Sequence, residues 1–120
     1  MIESYHFGSI IIDGKTYNHD VEVRWTGEVL KWWRKEGHMV DLEDIKRALE
    51  QNPETIIIGT GESGLVEVTE GAKNEIKSRG IELIVDITEE VIKTFNIKKE
   101  ESVKEKGKQR KVIGLFHLTC

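Results

Sequence analysis

Three glycines open the question of chemistry in this chain. Gly59-Thr60-Gly61-Glu62-Ser63-Gly64 follows directly on the apolar run Thr55-Ile56-Ile57-Ile58. The spelling is G-x-G-x-x-G after a strand, where glycines let backbone N–H groups approach a pyrophosphate, and Asp86 follows a later strand, where a ribose-binding acid would stand. Two features oppose a dinucleotide. The motif needs a helix N-terminus at the glycines, yet Leu65-Val66-Glu67-Val68 is apolar and β-branched, and the next helix start falls near Thr69. Glu62 would also place a negative charge beside the phosphates. The same glycines suit a turn of positive φ with close backbone packing, or a pocket for a small anionic ligand at the strand's end. The expectation is no nicotinamide, flavin or other cofactor.

A second concentration of reactive side chains is Trp33-Arg34-Lys35-Glu36-Gly37-His38. Trp33 and Arg34 can build a stacking wall and His38 a donor in a cleft; core tryptophans beside a solvated charged turn explain the segment more simply. His6, His19, His38 and His117 fall in no metal-ligand spacing, so no metal is expected. His117 and Cys120 suggest a thiol–imidazole pair, but strand residues three apart point to opposite faces. No Ser-His-Asp ordering stands out. The carboxylate pairs Glu89-Glu90 and Glu100-Glu101 read as solvated helix surface, so no catalytic residue is assigned.

The elements that must position these groups follow from periodicity. Phe7-Gly8-Ser9-Ile10-Ile11-Ile12 reads as a strand, Asp13-Gly14 as a type I′ turn, and Lys15-Thr16-Tyr17 as the return. Val21 to Trp25 alternates like a half-buried strand. Glu28 to Lys35 fits a short strand or an irregular segment. Asp41 caps a helix with Leu42, Ile45, Ala48 and Leu49 on its buried side, ended by Asn52-Pro53. Thr55 to Ile58 is a strand covered on both faces, and Leu65 to Val68 a short one. Thr69 caps a helix through Arg79, stopped by Gly80. Ile81 to Val85 is a strand. Thr88 starts a third helix with Ile92 and Phe95 inward. Lys98 to Lys108 reads as a solvated loop, Lys111 to Leu118 as a closing strand. This alternation predicts one α/β domain over residues 1–120, a compact three-layer arrangement with a mixed central sheet flanked by helices and an additional β-hairpin layer.

Composition bounds the rest. The chain has 120 residues, 38% of them hydrophobic and 33% charged, with a formal net charge of −4. It can bury a real core, and it has one cysteine, Cys120, so it is no disulfide scaffold. No apolar stretch is long enough to span a membrane, and Met1-Ile2-Glu3 opens no signal peptide, which together with the lone cysteine gives a cytoplasmic expectation. A net acidic chain is a poor non-specific nucleic-acid binder. The basic cluster Lys104-Lys106-Lys108-Arg110-Lys111 lacks aromatic interleaving and reads as surface. Abundant lysine, glutamate and isoleucine fit a heat-adapted protein.

Phe7-Gly8, Trp33-Arg34 followed by His38, Ile57-Ile58-Gly59-Thr60-Gly61, Thr88-Glu89 with Phe95-Asn96, and Val112-Ile113-Gly114-Leu115-Phe116-His117 with Thr119-Cys120 occur in an order and spacing that resembles a family. It is the adipogenesis-associated domain-containing proteins, more distantly similar to mitochondrial complex I assembly factor three. Phe95 stands where that family commonly has tyrosine, and Val91 where it has alanine. The resemblance implies the same three-layer fold, no established catalytic activity, and a role as an assembly or regulatory partner. It also implies a shared pocket region at Gly59, Thr60 and Gly61, with Arg34, His38 and Asn96 as neighbours.

The reading that follows is a non-catalytic binding or assembly module. Its surface comprises Trp33, Arg34, His38, Gly59, Thr60, Gly61, Glu62 and Asn96, and its partner is a protein or a small anionic ligand. A two-fold homodimer through an apolar patch at Trp32 or Trp33 also fits. The alternative is a ligand-binding protein or enzyme using the cleft at Gly59–Gly64, with His38 or Cys120 as the reactive group.

Overall fold

The computed structural model describes residues 1–104 and 110–120. β1 (Ile2–His6), β2 (Ser9–Ile12) and β3 (Lys15–Tyr17) form a small antiparallel sheet in that order. Asp13 and Gly14 turn the chain between β2 and β3 with φ of 48° and 79°, the two left-handed positions a type I′ turn requires. β1 is an addition to the elements expected: its residues show no clean alternation, and it is defined by pairing with β2.

Then come β4 (Val21–Arg24), β5 (Val29–Lys31), β6 (Met39–Val40), α1 (Leu42–Leu49), β7 (Thr55–Thr60), β8 (Glu67–Val68), α2 (Glu70–Ser78), β9 (Glu82–Asp86), α3 (Thr88–Lys104) and β10 (Val112–His117). The central sheet has the order β5-β4-β10-β7-β9. β4 runs antiparallel to β5 and β10, while β10, β7 and β9 run parallel. β6 and β8 make a separate two-residue parallel pair.

β7 and β10 are buried along their whole length. Successive strand residues face opposite ways, so Ile56, Ile58, Ile113 and Leu115 pack under α1 and α2 with Trp32, Ile45 and Ile76. Ile57, Val112 and Phe116 pack on the other side against α3 and the β1–β3 sheet, with Ile10, Val91 and Phe95. Phe95 and Phe116 meet edge to face with centroids 5.9 Å apart. A Cβ on Gly114 would lie 2.3 Å from the Phe116 ring, so only glycine lets that ring fold over its own strand. The expected α/β architecture, a mixed sheet between helices with an added β-hairpin layer, is thus observed.

Several boundaries shift by a residue or two, and three differences bear on the site and its surroundings. β7 continues through Gly59 and Thr60, because both pair in register with Phe116 and His117 of β10. The strand expected from Leu65 shrinks to Glu67–Val68, with β6 as its partner. Residues 98–104, expected as loop, prolong α3. Lysine and glutamate are good helix formers without an apolar stripe, and Lys98 anchors the helix to β9 through Glu82 at 3.1 Å. The remainder of that expected loop, and Lys106 and Lys108 of the basic cluster, lie outside the described residues. Among the described residues no helix is long and apolar enough to cross a membrane.

Candidate functional site

The glycine segment is covered by the chain itself. A Cβ on Gly59 would lie 2.7 Å from Thr88 Oγ1 and 3.1 Å from Val91, so the glycine lets the start of α3 sit directly on β7. Gly61 has φ of 99°, and its Cβ would lie 2.6 Å from the Thr119 carbonyl oxygen. The backbone of Thr119 and Cys120 therefore fills the space a bound pyrophosphate would need there. Thr88 locks the contact: its hydroxyl donates to the His117 carbonyl at 2.6 Å and accepts from Gly61 N–H at 2.9 Å. Glu62 N–H donates to the Thr119 carbonyl at 2.8 Å, while the Glu62 side chain is exposed.

The open space lies one step further along. After β7 the chain passes through β8 and α2, packed on one face of the sheet, to reach β9. After β9 it passes through α3, packed on the opposite face, to reach β10. The loops leaving the carboxyl ends of the neighbouring strands β7 and β9 thus diverge, the arrangement that opens a crevice for ligands in α/β sheets. A cleft of about 960 Å³ occupies that position. Thr60, Ser63 and Asp86 line its end, Val66, Val68, Leu83, Val85 and Ile87 supply apolar surface, and Lys73 and Lys77 of α2 form one wall. β9 is also the sheet's edge strand, and Val85 and Asp86 are exposed. The Thr60 hydroxyl is occupied, donating to the Asp86 carbonyl at 3.1 Å.

Arg34 belongs to a different cluster. Its side chain is only 5% exposed. Nη2 lies 3.1 Å from Asp20 Oδ2 and 2.7 Å from His117 Nδ1, and His117 Nδ1 lies 2.7 Å from the same Asp20 oxygen. Asp20 Oδ1 accepts from Leu118 N–H at 2.9 Å. Burial pushes the Asp20 carboxyl up, but the hydrogen bonds from His117, Leu118 N–H and Arg34 outweigh it and hold the group below its ordinary range. Arg34 Nη1 reaches the carbonyls of Glu36 at 3.1 Å and Gly37 at 2.8 Å, and the guanidinium lies over the Trp32 ring at 5.3 Å. The neighbour of His117 Nε2 is Thr119 Oγ1 at 3.2 Å, two residues along, while Cys120 is exposed. Tyr5 donates to the Leu118 carbonyl at 2.8 Å, and burial, with Glu62, Asp20 and Glu89 nearby, pushes its hydroxyl up to about 12.

The residues expected to share one surface are brought together in part: Arg34 bonds His117, which pairs with Thr60. Gly59, Thr60 and Gly61 end β7 beside the crevice, with Thr60 in its lining. Trp32 is buried, whereas Trp33 is 72% exposed and borders a separate recess with Glu43 and Arg47. The His38 side chain is exposed, and its carbonyl accepts from Glu67 N–H at 3.0 Å. Asn96 clamps β1 to α3, accepting from Ile2 N–H at 2.9 Å and donating to the Ile2 carbonyl at 2.8 Å. Asp20 and His117 are the polar residues that spacing did not assemble. The one signal was a histidine inside the apolar run 111–118, where a buried polar group needs partners.

Comparison with known proteins places this geometry in a family context. The model described as "Protein of unknown function (DUF498/DUF598)" matches residues 2–117. The conserved hypothetical protein PH1505 from Pyrococcus horikoshii OT3 superposes with a TM-score of 0.81 at 24% identity, covering 100% of this chain and 99% of that one. A structure titled MT938 gives 0.80 at 29% identity, with coverage of 100% and 98%. XCC1710 from Xanthomonas campestris gives 0.79 at 14% identity, with coverage of 98% and 83%. These likenesses concern the fold.

Proposed function

Since the chain belongs to the DUF498/DUF598 family, whose description carries no activity, we propose a function from its own surface: a binding module that takes an extended segment of a partner protein into the crevice beside β9. The observation that carries this reading is the position of the cleft, at the diverging carboxyl ends of β7 and β9 and along an edge strand. An edge strand has unpaired backbone donors and acceptors to offer a visiting strand. Val66, Val68, Leu83, Val85 and Ile87 offer apolar contact to alternate side chains of such a segment.

Rim charge favours a peptide over a small anion. Lys73 and Lys77 stand on one wall, but Glu67, Glu70 and Asp86 share the lining, and Lys73 is within 3.8 Å of Glu70. A free anion would meet more negative than positive charge, whereas a peptide can match both signs. The resemblance to the adipogenesis-associated proteins and complex I assembly factor three agrees with a protein partner and a role in assembly.

The test is selection of peptides from a phage-displayed library against the intact protein, followed by titration of the best binder into wild type, Val85→Arg and Trp33→Ala. The expected result is binding that Val85→Arg weakens at least tenfold and Trp33→Ala leaves unchanged. Binding indifferent to Val85→Arg, or the absence of any selected peptide, contradicts the reading.

A further inference from the structure

His117 Nδ1 has two partners it cannot serve together. A bare Nδ1 accepts from Arg34 Nη2; a protonated Nδ1 donates to Asp20 Oδ2. Both lie at 2.7 Å. We propose that this nitrogen is a proton-operated latch: with Nδ1 bare, Arg34 is held against His117, and with Nδ1 protonated the ring turns its bond to Asp20 and repels the guanidinium.

Arg34 is built to transmit that choice. Its Nη1 holds the carbonyls of Glu36 and Gly37, with the Met39 carbonyl at 3.4 Å, so one side chain joins the end of β10 to the whole 36–39 segment. Among the described residues Arg34 Nε is buried without a hydrogen-bond partner, so the guanidinium is under-satisfied where it stands. From 36–39 the contacts continue to the crevice. Glu67 N–H donates to the His38 carbonyl, and Met39 and Val40 pair with Glu67 and Val68, which line the cleft. This last link, from latch to binding surface, rests on the function proposed above; the latch itself does not.

Among the described residues, the charged groups in contact with His117 are Asp20 and Arg34. Asp20, ahead of β4, is the anion and Arg34, after β5, the cation. Tyr5 of β1 reaches the adjacent Leu118 carbonyl, with Glu62 after β7 and Glu89 of α3 acting on it. Asp20, held below its ordinary range, stays an acceptor for the protonated ring throughout the range in which an imidazole titrates.

The experiment is a nuclear magnetic resonance titration of the uniformly ¹⁵N-labelled full chain from about pH 8 to 5, the range in which imidazole changes charge. It reads the His117 ring nitrogens and the backbone amides together. The expected result is an Nδ1 that is bare at the alkaline end and protonated at the acid end. The amides of Glu36, Gly37 and Met39, and then Glu67 and Val68, shift with the same midpoint. His38→Gln should leave that response in place, and His117→Gln should abolish it. Arg34→Lys, whose single ammonium cannot span the carbonyls, should let His117 titrate while the segment stays still; it serves as the second variant should His117→Gln fold poorly. A proton on Nδ1 at every pH, or a ring that titrates while amides 36–39 do not, overturns the latch. Movement of 36–39 without Glu67 and Val68 overturns its link to the crevice. Peptide binding indifferent to Val85→Arg removes the crevice reading and leaves the latch standing.

Discussion

Arg34 and His117 stand 83 residues apart in the chain and meet with Nη2 2.7 Å from Nδ1. The antiparallel pairing of β4 with β10 brings Asp20 to the same point, since Val21 pairs with Phe116. A buried guanidinium and imidazole and a half-buried carboxylate then join the loop after β5, the end of β10 and the start of β4. Protonation of the carboxylate should loosen this junction.

Asp20 has a folded pKa below its unfolded one, so its contribution to stability is present above the unfolded value of about 3.9 and is lost as pH falls through the folded value. Wild type should lose stability in that acid window, and Asp20→Asn should lose much of the loss while being less stable at neutral pH. Urea denaturation midpoints between neutrality and the onset of acid unfolding check this.

Tyr5 behaves in the opposite sense. Its hydroxyl is pushed up to about 12, so its contribution is intact below the unfolded value of about 10 and disappears as pH rises toward the folded one. Ultraviolet phenolate titration should give a delayed component that Tyr5→Phe removes.

Gly61→Ala should destabilise the fold by about 2 to 4 kcal/mol, combining a left-handed backbone with overpacking. The atom in the way is the Thr119 carbonyl oxygen, and backbone cannot step aside. Chemical denaturation measures the loss. A variant as stable as wild type would mean the C-terminal residues do not pack on β7.

Asn96→Ala should cost about 1 to 3 kcal/mol, because both Ile2 backbone groups lose a partner. The loss should be local: amide hydrogen exchange should accelerate in β1, whose neighbour in its sheet is β2.

Glu22 is 1% exposed, with Arg24 Nε at 2.8 Å and Arg47 Nε at 3.0 Å. Glu22→Ala should cost about 3 kcal/mol, the low end for a broken buried pair, because the half-exposed Arg47 can turn into solvent. Thermal unfolding of Glu22→Ala and Arg47→Ala would rank the two.

Much of this fold was legible where the physics is local. The run Thr55–Ile58 announced a strand covered on both faces, Asp13-Gly14 a hairpin, and Asp41 and Thr69 helix starts, because each depends on neighbours within a few residues. β1 was hidden, since it exists through Ile10 and Ile12 across the turn rather than through its own alternation. The length of α3 was hidden because charged residues 98–101 mark helix and solvated loop alike. The candidate site was only half legible. The glycines pointed to the end of β7, but whether they face a ligand or the chain depends on Thr119 and Cys120, far away in sequence. The grouping of Asp20, Arg34 and His117 is a product of strand order, which spacing does not encode.

The central claim is that the crevice beside β9 is where a partner sits. Amide chemical-shift mapping with a library-selected peptide tests it most directly. The expected shifts concentrate on Ser63–Thr69 and Leu83–Ile87, together with protection of the Leu83 and Val85 amides from exchange. Shifts centred on Trp33 and Arg47, or on β5 at the opposite edge, would contradict it.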